Sequence, residues 1–173
     1  LMNKADAILI GGAMVFTFFK ALGANVGTSR LEADKVDIAK GLLEKAKQKG
    51  VKIELGEDFV VATSFDDPKD RKVVTKIEDG WMGLDIGPKT VEIFKQVLST
   101  AKTVVWNGPM GVFEKDEYAG GTKAIADYLA NLKDCTTIVG GGDSAAAAKK
   151  FNVEDKMTHI STGGGASLEF LEG

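Results

Sequence analysis

The chain has 173 residues, with 22 Lys+Arg against 25 Asp+Glu, a formal net charge of −3, 44 % hydrophobic and 27 % charged residues. Those figures describe a single soluble globular domain and exclude both a disordered chain and a nucleic-acid binder driven by bulk positive charge. A lone Cys135 excludes a disulfide framework, and with His159 as the one histidine a structural zinc site is excluded too.

The first feature is a run of thirteen uncharged residues, Ala7 to Phe19, which superficially resembles a secretory leader. It carries Asp6 at its start and Gly11-Gly12 at its centre, and it is shorter than the roughly 20 residues of a membrane span. A buried strand over Ala7–Ile10, a glycine turn and a buried helix over Met14–Leu22 fit it better, in a cytoplasmic protein with a reduced thiol. Ser29 and Glu32 have capping-box spacing, so a helix is expected from Ser29, with Val36, Ala39, Leu42, Leu43 and Ala46 as its apolar stripe. Lys45, Lys47 and Lys49 suit the C-terminal end of that helix, and Gly50 stops it.

Val51–Leu55 and Phe59–Ala62 read as strand. Between Thr63 and Asp85, the turn chemistry of Asp66-Asp67-Pro68 and the weak alternation of Lys72–Ile77 predict a small antiparallel surface excursion. Pro88 opens a helix with Val91, Phe94, Val97 and Leu98 inward. The remaining elements alternate: strand Thr103–Trp106, helix Thr122–Leu132, strand Thr136–Val139, helix Ser144–Phe151, strand His159–Thr162 and a short helix over Ala166–Leu171. Parallel strands need crossovers, and crossovers cover the faces of the sheet. The expected fold is therefore α/β, a three-layer doubly wound (Rossmann-like), mainly parallel sheet with helices on both faces.

Glycine is the compositional outlier, 21 residues or about 12 % against a usual 7 % or so. Gly11-Gly12, Gly108 with Gly111, Gly140-Gly141-Gly142 and Gly163-Gly164-Gly165 each follow a predicted strand. In an open α/β sheet these ends share one rim, where ligands bind, and bare backbone amides at helix N-termini suit phosphate. No P-loop pattern is present. Gly140-x-Gly142-x-x-Ala145 fits a dinucleotide pattern, but the acidic residue expected about twenty residues on is replaced by Ser161-Thr162-Gly163, so an NAD-binding oxidoreductase domain is the alternative reading. Asp143 reads either as an N-cap or as a carboxylate for Mg²⁺ beside phosphate oxygens. Asn107 is a turn residue or a phosphate donor, and Glu114 a surface charge or a ribose partner. His159 reads as a structural strand histidine, and Trp81 and Trp106 as packing residues.

Several long segments carry a resemblance. Ile10-Gly11-Gly12-Ala13-Met14, Gly80-Trp81-Met82-Gly83-Leu84-Asp85-Ile86-Gly87-Pro88, Val105-Trp106-Asn107-Gly108-Pro109-Met110-Gly111-Val112-Phe113-Glu114, Gly120-Gly121-Thr122-Lys123-Ala124, Gly140-Gly141-Gly142-Asp143-Ser144 and His159-Ile160-Ser161-Thr162 through Glu169 resemble, in order, the C-terminal nucleotide-binding half of phosphoglycerate kinases. Pro109-Met110 and Phe170 point to the bacterial type. The resemblance implies reversible phosphoryl transfer between 1,3-bisphosphoglycerate and MgADP, giving 3-phosphoglycerate and MgATP, in a cytoplasmic and monomeric parent with no nucleic-acid or membrane partner.

It implies that Gly11, Gly12, Leu84 and Val112 line the adenine pocket, with Glu114 on the ribose. It also implies that Asn107, the turn at Gly108, the amides of Gly141, Gly142 and Ser144, and the catalytic glycines Gly163, Gly164 and Gly165 face the phosphates, with Asp143 on Mg²⁺. Three positions depart from the family's pattern: Ala13 for a third glycine, Arg30 for an apolar residue beside adenine, and Leu55-Gly56-Glu57-Asp58 for Leu-Pro-x-Asp. Residues 1–173 are thus expected to form one domain, incomplete at both ends. The phosphoglycerate-binding domain would lie outside it, together with a lysine-bearing strand between Ala7–Ile10 and Thr103–Trp106.

Overall fold

A computed structural model describes residues 5–66 and 68–161. The elements in chain order are β1 (Ala7–Leu9), α1 (Met14–Ala21), α2 (Val36–Lys49), β2 (Lys52–Glu54), β3 (Phe59–Ala62), β4 (Lys72–Val74), β5 (Met82–Ile86), α3 (Pro88–Leu98), β6 (Thr103–Asn107), α4 (Gly120–Ala130), β7 (Thr136–Gly140), α5 (Gly142–Lys150) and β8 (His159–Ser161). The α/β class and the antiparallel excursion are as the sequence predicts. The expected helix over Ala166–Leu171 lies outside the described residues.

The parallel strands form two ladders, β1 with β2 and β6-β7-β8 in that order, with Asn107 opposite Gly140 and Gly140 opposite Ser161. The division falls between β1 and β6, where the resemblance places a further strand. The excursion is a three-stranded antiparallel sheet, β4-β3-β5, with a bulge at Val60/Val61. Strand β5 was not expected. Its sequence, Met82-Gly83-Leu84-Asp85-Ile86, carries a glycine and a buried aspartate that mask the strand pattern.

The helix expected from Ser29 starts seven residues later, at Val36, after a single 3₁₀ turn over Ala33–Lys35. The capping box does not form because the Ser29 hydroxyl, buried, accepts the Gly83 amide of β5 at 2.8 Å. Glu32 instead pairs with Lys35 at 2.8 Å on the surface. The helix ends as predicted: Gly50 is left-handed (φ 71°) and Val51 N–H returns to the Ala46 carbonyl at 2.9 Å. Ala39 and Ala46 of its stripe are buried, whereas Leu42 is exposed. In α1 the segment Val15–Phe18 is buried, but Met14 and Leu22 at its ends are exposed.

The main core joins α3, α4, α5, β6 and β7 through Phe94, Leu98, Trp106, Leu129, Val139 and Ala147. A second cluster seats α1 on the antiparallel sheet. There the Phe16 and Phe19 rings lie 5.7 and 5.2 Å from Phe59. Gly83 admits this contact, since a Cβ there would run into the Phe16 ring.

The loop at Leu55–Asp58 is more than a surface variation. Asp58 is 2 % exposed and its carboxylate accepts the Lys89 amide at 3.0 Å and the Thr90 amide at 2.8 Å, so it caps α3 from outside the helix. The Thr90 hydroxyl donates to the same carboxylate at 2.7 Å. Replacing Asp58 by Ala strands these buried donors and is expected to cost about 2–3 kcal/mol, read as a lowered urea midpoint with an unchanged m-value.

Candidate functional site

The site is built around the chain leaving β6. Trp106 is buried and its indole N–H donates to the Gly108 carbonyl at 2.7 Å, which turns the chain sharply after Asn107. The Gly108 amide donates to Ser144 Oγ at 2.6 Å, and the Met110 amide to Thr122 Oγ1 at 3.1 Å. The Met110 carbonyl accepts the Gly12 amide at 2.9 Å, and the Val112 amide donates to the Leu84 carbonyl at 2.9 Å. These bonds bring Gly11, Gly12, Leu84, Gly108, Val112 and Ser144 together from four separate parts of the chain. Gly11 lies against the Met110 side chain, whose sulfur a Cβ at this position would displace.

Asn107 is exposed at the end of β6, level with the end of β7. From there Gly141 (φ 92°) leads straight into α5. Its amide donates to the Ser161 carbonyl at 3.1 Å, so the β7 and β8 ends are joined. Gly141 is the N-cap of α5, and no side chain bonds to that end of the helix. The N-cap reading of Asp143 is therefore corrected: Asp143 stands exposed in the first turn, past the cap. Ser144 is buried and spends its hydroxyl on Gly108, which leaves its backbone rather than its side chain for a ligand. Glu114 is exposed two residues beyond Val112. Gly163, Gly164 and Gly165 lie outside the described residues.

No group of three or more His, Cys, Asp or Glu side chains is arranged for a metal among the described residues. A single exposed carboxylate such as Asp143 still fits Mg²⁺, which keeps several waters and takes one or two carboxylates plus phosphate oxygens. His159 is exposed on β8 and Trp81 lies under the Lys72 ammonium at 4.1 Å; neither belongs to the site.

Sequence reasoning missed Thr122, Asp85 and Lys150. Thr122 is fully buried beneath the loop, and only its place after two glycines hinted at it. Asp85 is buried too: its Oδ2 accepts the Gly121 amide at 2.8 Å and its Oδ1 the Ile86 amide at 2.9 Å. A Cβ on Gly111 would stand 2.5 Å from Asp85 Oδ1 and 2.6 Å from the Leu84 carbonyl oxygen, so the loop needs glycine there to lie on β5. Behind Asp85 an open cleft of about 550 Å³ is bordered by Arg71, Lys72, Glu92, Asp116 and Glu117, and none of the expected nucleotide contacts lines it.

The family model described as phosphoglycerate kinase matches residues 1–173. The phosphoglycerate kinase of Pseudothermotoga lettingae is 58 % identical over the whole chain, which spans 44 % of that relative. Phosphoglycerate kinase 3, cytosolic, of Arabidopsis thaliana is 57 % identical, again over the whole chain and 44 % of the relative. The solved phosphoglycerate kinase of Coxiella burnetii superposes with a TM-score of 0.91 at 40 % identity, covering 99 % of this chain and 45 % of that one. The chain thus spans less than half the length of the relatives it matches.

Burial raises the Asp85 carboxyl from 3.8 to about 7, against the two amide bonds, which lower it. Between those values the folded chain holds a proton that the unfolded chain has released, so stability falls as pH rises through that window. Urea midpoints at pH 5 and pH 8 are expected to differ less in Asp85→Asn than in the wild type. Taken together, the matching segments, the full-length family match and the superposition make this chain a member of the phosphoglycerate kinase family.

Proposed function

We propose that the chain is the nucleotide-binding, C-terminal half of a phosphoglycerate kinase, and that it binds MgADP and MgATP at the rim formed by the ends of β1, β6, β7 and β8. The observation that carries this reading is the bare start of α5. A glycine-led helix N-terminus follows a strand directly, lacks a side-chain cap and stands beside Asn107 and the 108–112 loop. Such an end favours phosphate through its unbonded amides and the helix dipole. Family membership favours phosphoryl transfer over the dinucleotide alternative.

In this reading the backbone at Gly11 and Gly12, with Leu84 and Val112, forms the adenine wall. The Gly12–Met110 and Val112–Leu84 bonds preset its width. Glu114 accepts from the ribose hydroxyls. Asn107 and the amides of Gly142 and Ser144 hold phosphate oxygens, with Gly163, Gly164 and Gly165 facing the transferred group; the Gly141 amide, expected among them, is taken by the Ser161 carbonyl. Asp143 holds Mg²⁺, which when bound neutralises phosphate charge. Kinase catalysis of this kind is positioning and charge stabilisation, and no side chain here serves as a nucleophile.

The groups assigned to the phosphates include no lysine or arginine, so the charge of the transition state calls for cations from outside this set. The 173-residue chain is accordingly proposed to bind nucleotide without significant turnover. The acyl phosphate or phosphoglycerate would be held by a separate N-terminal domain of a cytoplasmic, monomeric enzyme. No described helix is long and apolar enough to cross a membrane.

Calorimetric titration tests the assignment. MgADP is expected to bind saturably and NADH not at all, with Asp143→Asn weakening MgADP more than metal-free ADP. NADH binding with no response to MgADP would overturn it, and turnover by the chain in a coupled assay would overturn the inactivity alone.

A further inference from the structure

Helix α5 grips the 108–116 loop at two places. At its first turn Ser144 Oγ accepts the Gly108 amide at 2.6 Å. At its last turn the Lys150 ammonium donates to the Phe113 carbonyl at 2.6 Å and meets Asp116 Oδ1 at 3.3 Å. A lysine in the last helical turn would ordinarily lie near the free carbonyls of its own helix. Lys150 reaches across to another segment instead, with its side chain 32 % exposed, whereas Asp116 is 95 % exposed. An ion pair that exposed contributes little, so the short bond to the Phe113 carbonyl is the significant one. Phe113 itself is 4 % exposed, which anchors the peptide from its side-chain end. The next residue is Glu114. It is exposed, and its backbone continues directly from this held peptide.

We propose that Lys150 is a positioning residue for the nucleotide sugar: by fixing the Phe113 carbonyl it aims Glu114 at the ribose hydroxyls. The inference rests on the nucleotide reading above and adds a group that touches neither sugar nor phosphate. Without the ammonium the Phe113 carbonyl loses its partner. Although the Phe113 and Lys115 amides still hold the turn through Gly111 and Val112, the tilt of the 113–114 peptide is no longer fixed and the carboxylate loses its set reach. The loss is specific to ligands with ribose hydroxyls, since the base wall and the phosphate amides are held by other bonds.

The probe pair is ADP and 2′,3′-dideoxy-ADP, titrated with Mg²⁺ into the wild-type chain and into Lys150→Met, Lys150→Arg and Glu114→Gln. Removing one charge-assisted bond is expected to weaken ADP by about fivefold in Lys150→Met, with dideoxy-ADP unchanged. The preference for ADP is expected to fall in Glu114→Gln as well and to persist in Lys150→Arg, which can still donate. Equal weakening of both ligands in Lys150→Met, or an unchanged preference, would overturn the positioning role. Should Lys150→Met fail to fold, loss of the preference in a folded Lys150→Gln supports the proposal and its retention overturns it. An unchanged preference in Glu114→Gln would instead remove the ribose role of Glu114, and the proposal with it.

Discussion

The chain between Asn107 and Val112 is the constraint on which the rest depends. It follows the buried Trp106 and runs between other elements, and its polar backbone groups find partners in each of them: Ser144 of α5, Thr122 of α4, Gly12 after β1 and Leu84 of β5. A segment tied in this way fixes the mutual placement of two parallel ladders and an antiparallel sheet that share no strand pairing. It also decides where glycine is required. Gly111 must lie on β5 against Asp85, and Gly121 approaches the same carboxylate from α4. The glycines near this loop are therefore of two kinds. Some turn the chain from a strand end into a helix, as Gly141 does, and others let backbones close on one another.

That distinction explains what could be read from the sequence. The apolar spacing of α3 (Val91, Phe94, Leu98) and of α4 (Ile125, Leu129) is local, and the structure buries those residues as expected. The strand ends and their glycine clusters were legible because a parallel strand followed by a glycine turn is a local pattern as well. Ser29 was not. Its capping-box spacing is sound in isolation, but a buried β5 amide fifty-four residues away takes the hydroxyl. β5 itself was hidden by Gly83, present for Phe16, and by Asp85, present for Gly121. Thr122 and Lys150 likewise act on another segment, and apart from the two glycines before Thr122 nothing in their own neighbourhood announces it. Residue roles that rest on a long-range partner stayed out of reach, whereas roles that rest on local conformation did not.

The antiparallel sheet shows why these hidden residues bear on the site. Read from sequence it is a surface excursion, yet it supplies a carboxylate to each of two helix starts: Asp58 to the amides of α3 and Asp85 to the amide of Gly121 in α4. Each of these starts thereby has one or more amides already bonded to a carboxylate of its own chain. The start of α5 receives no side chain, and Ser144, the one hydroxyl in its first turn, is turned away to hold Gly108. Among α3, α4 and α5, the fold thus closes two positive ends internally and leaves the third open toward Asn107. Of these three helix starts one is left without a side-chain partner, and the difference is set by two aspartates placed away from it.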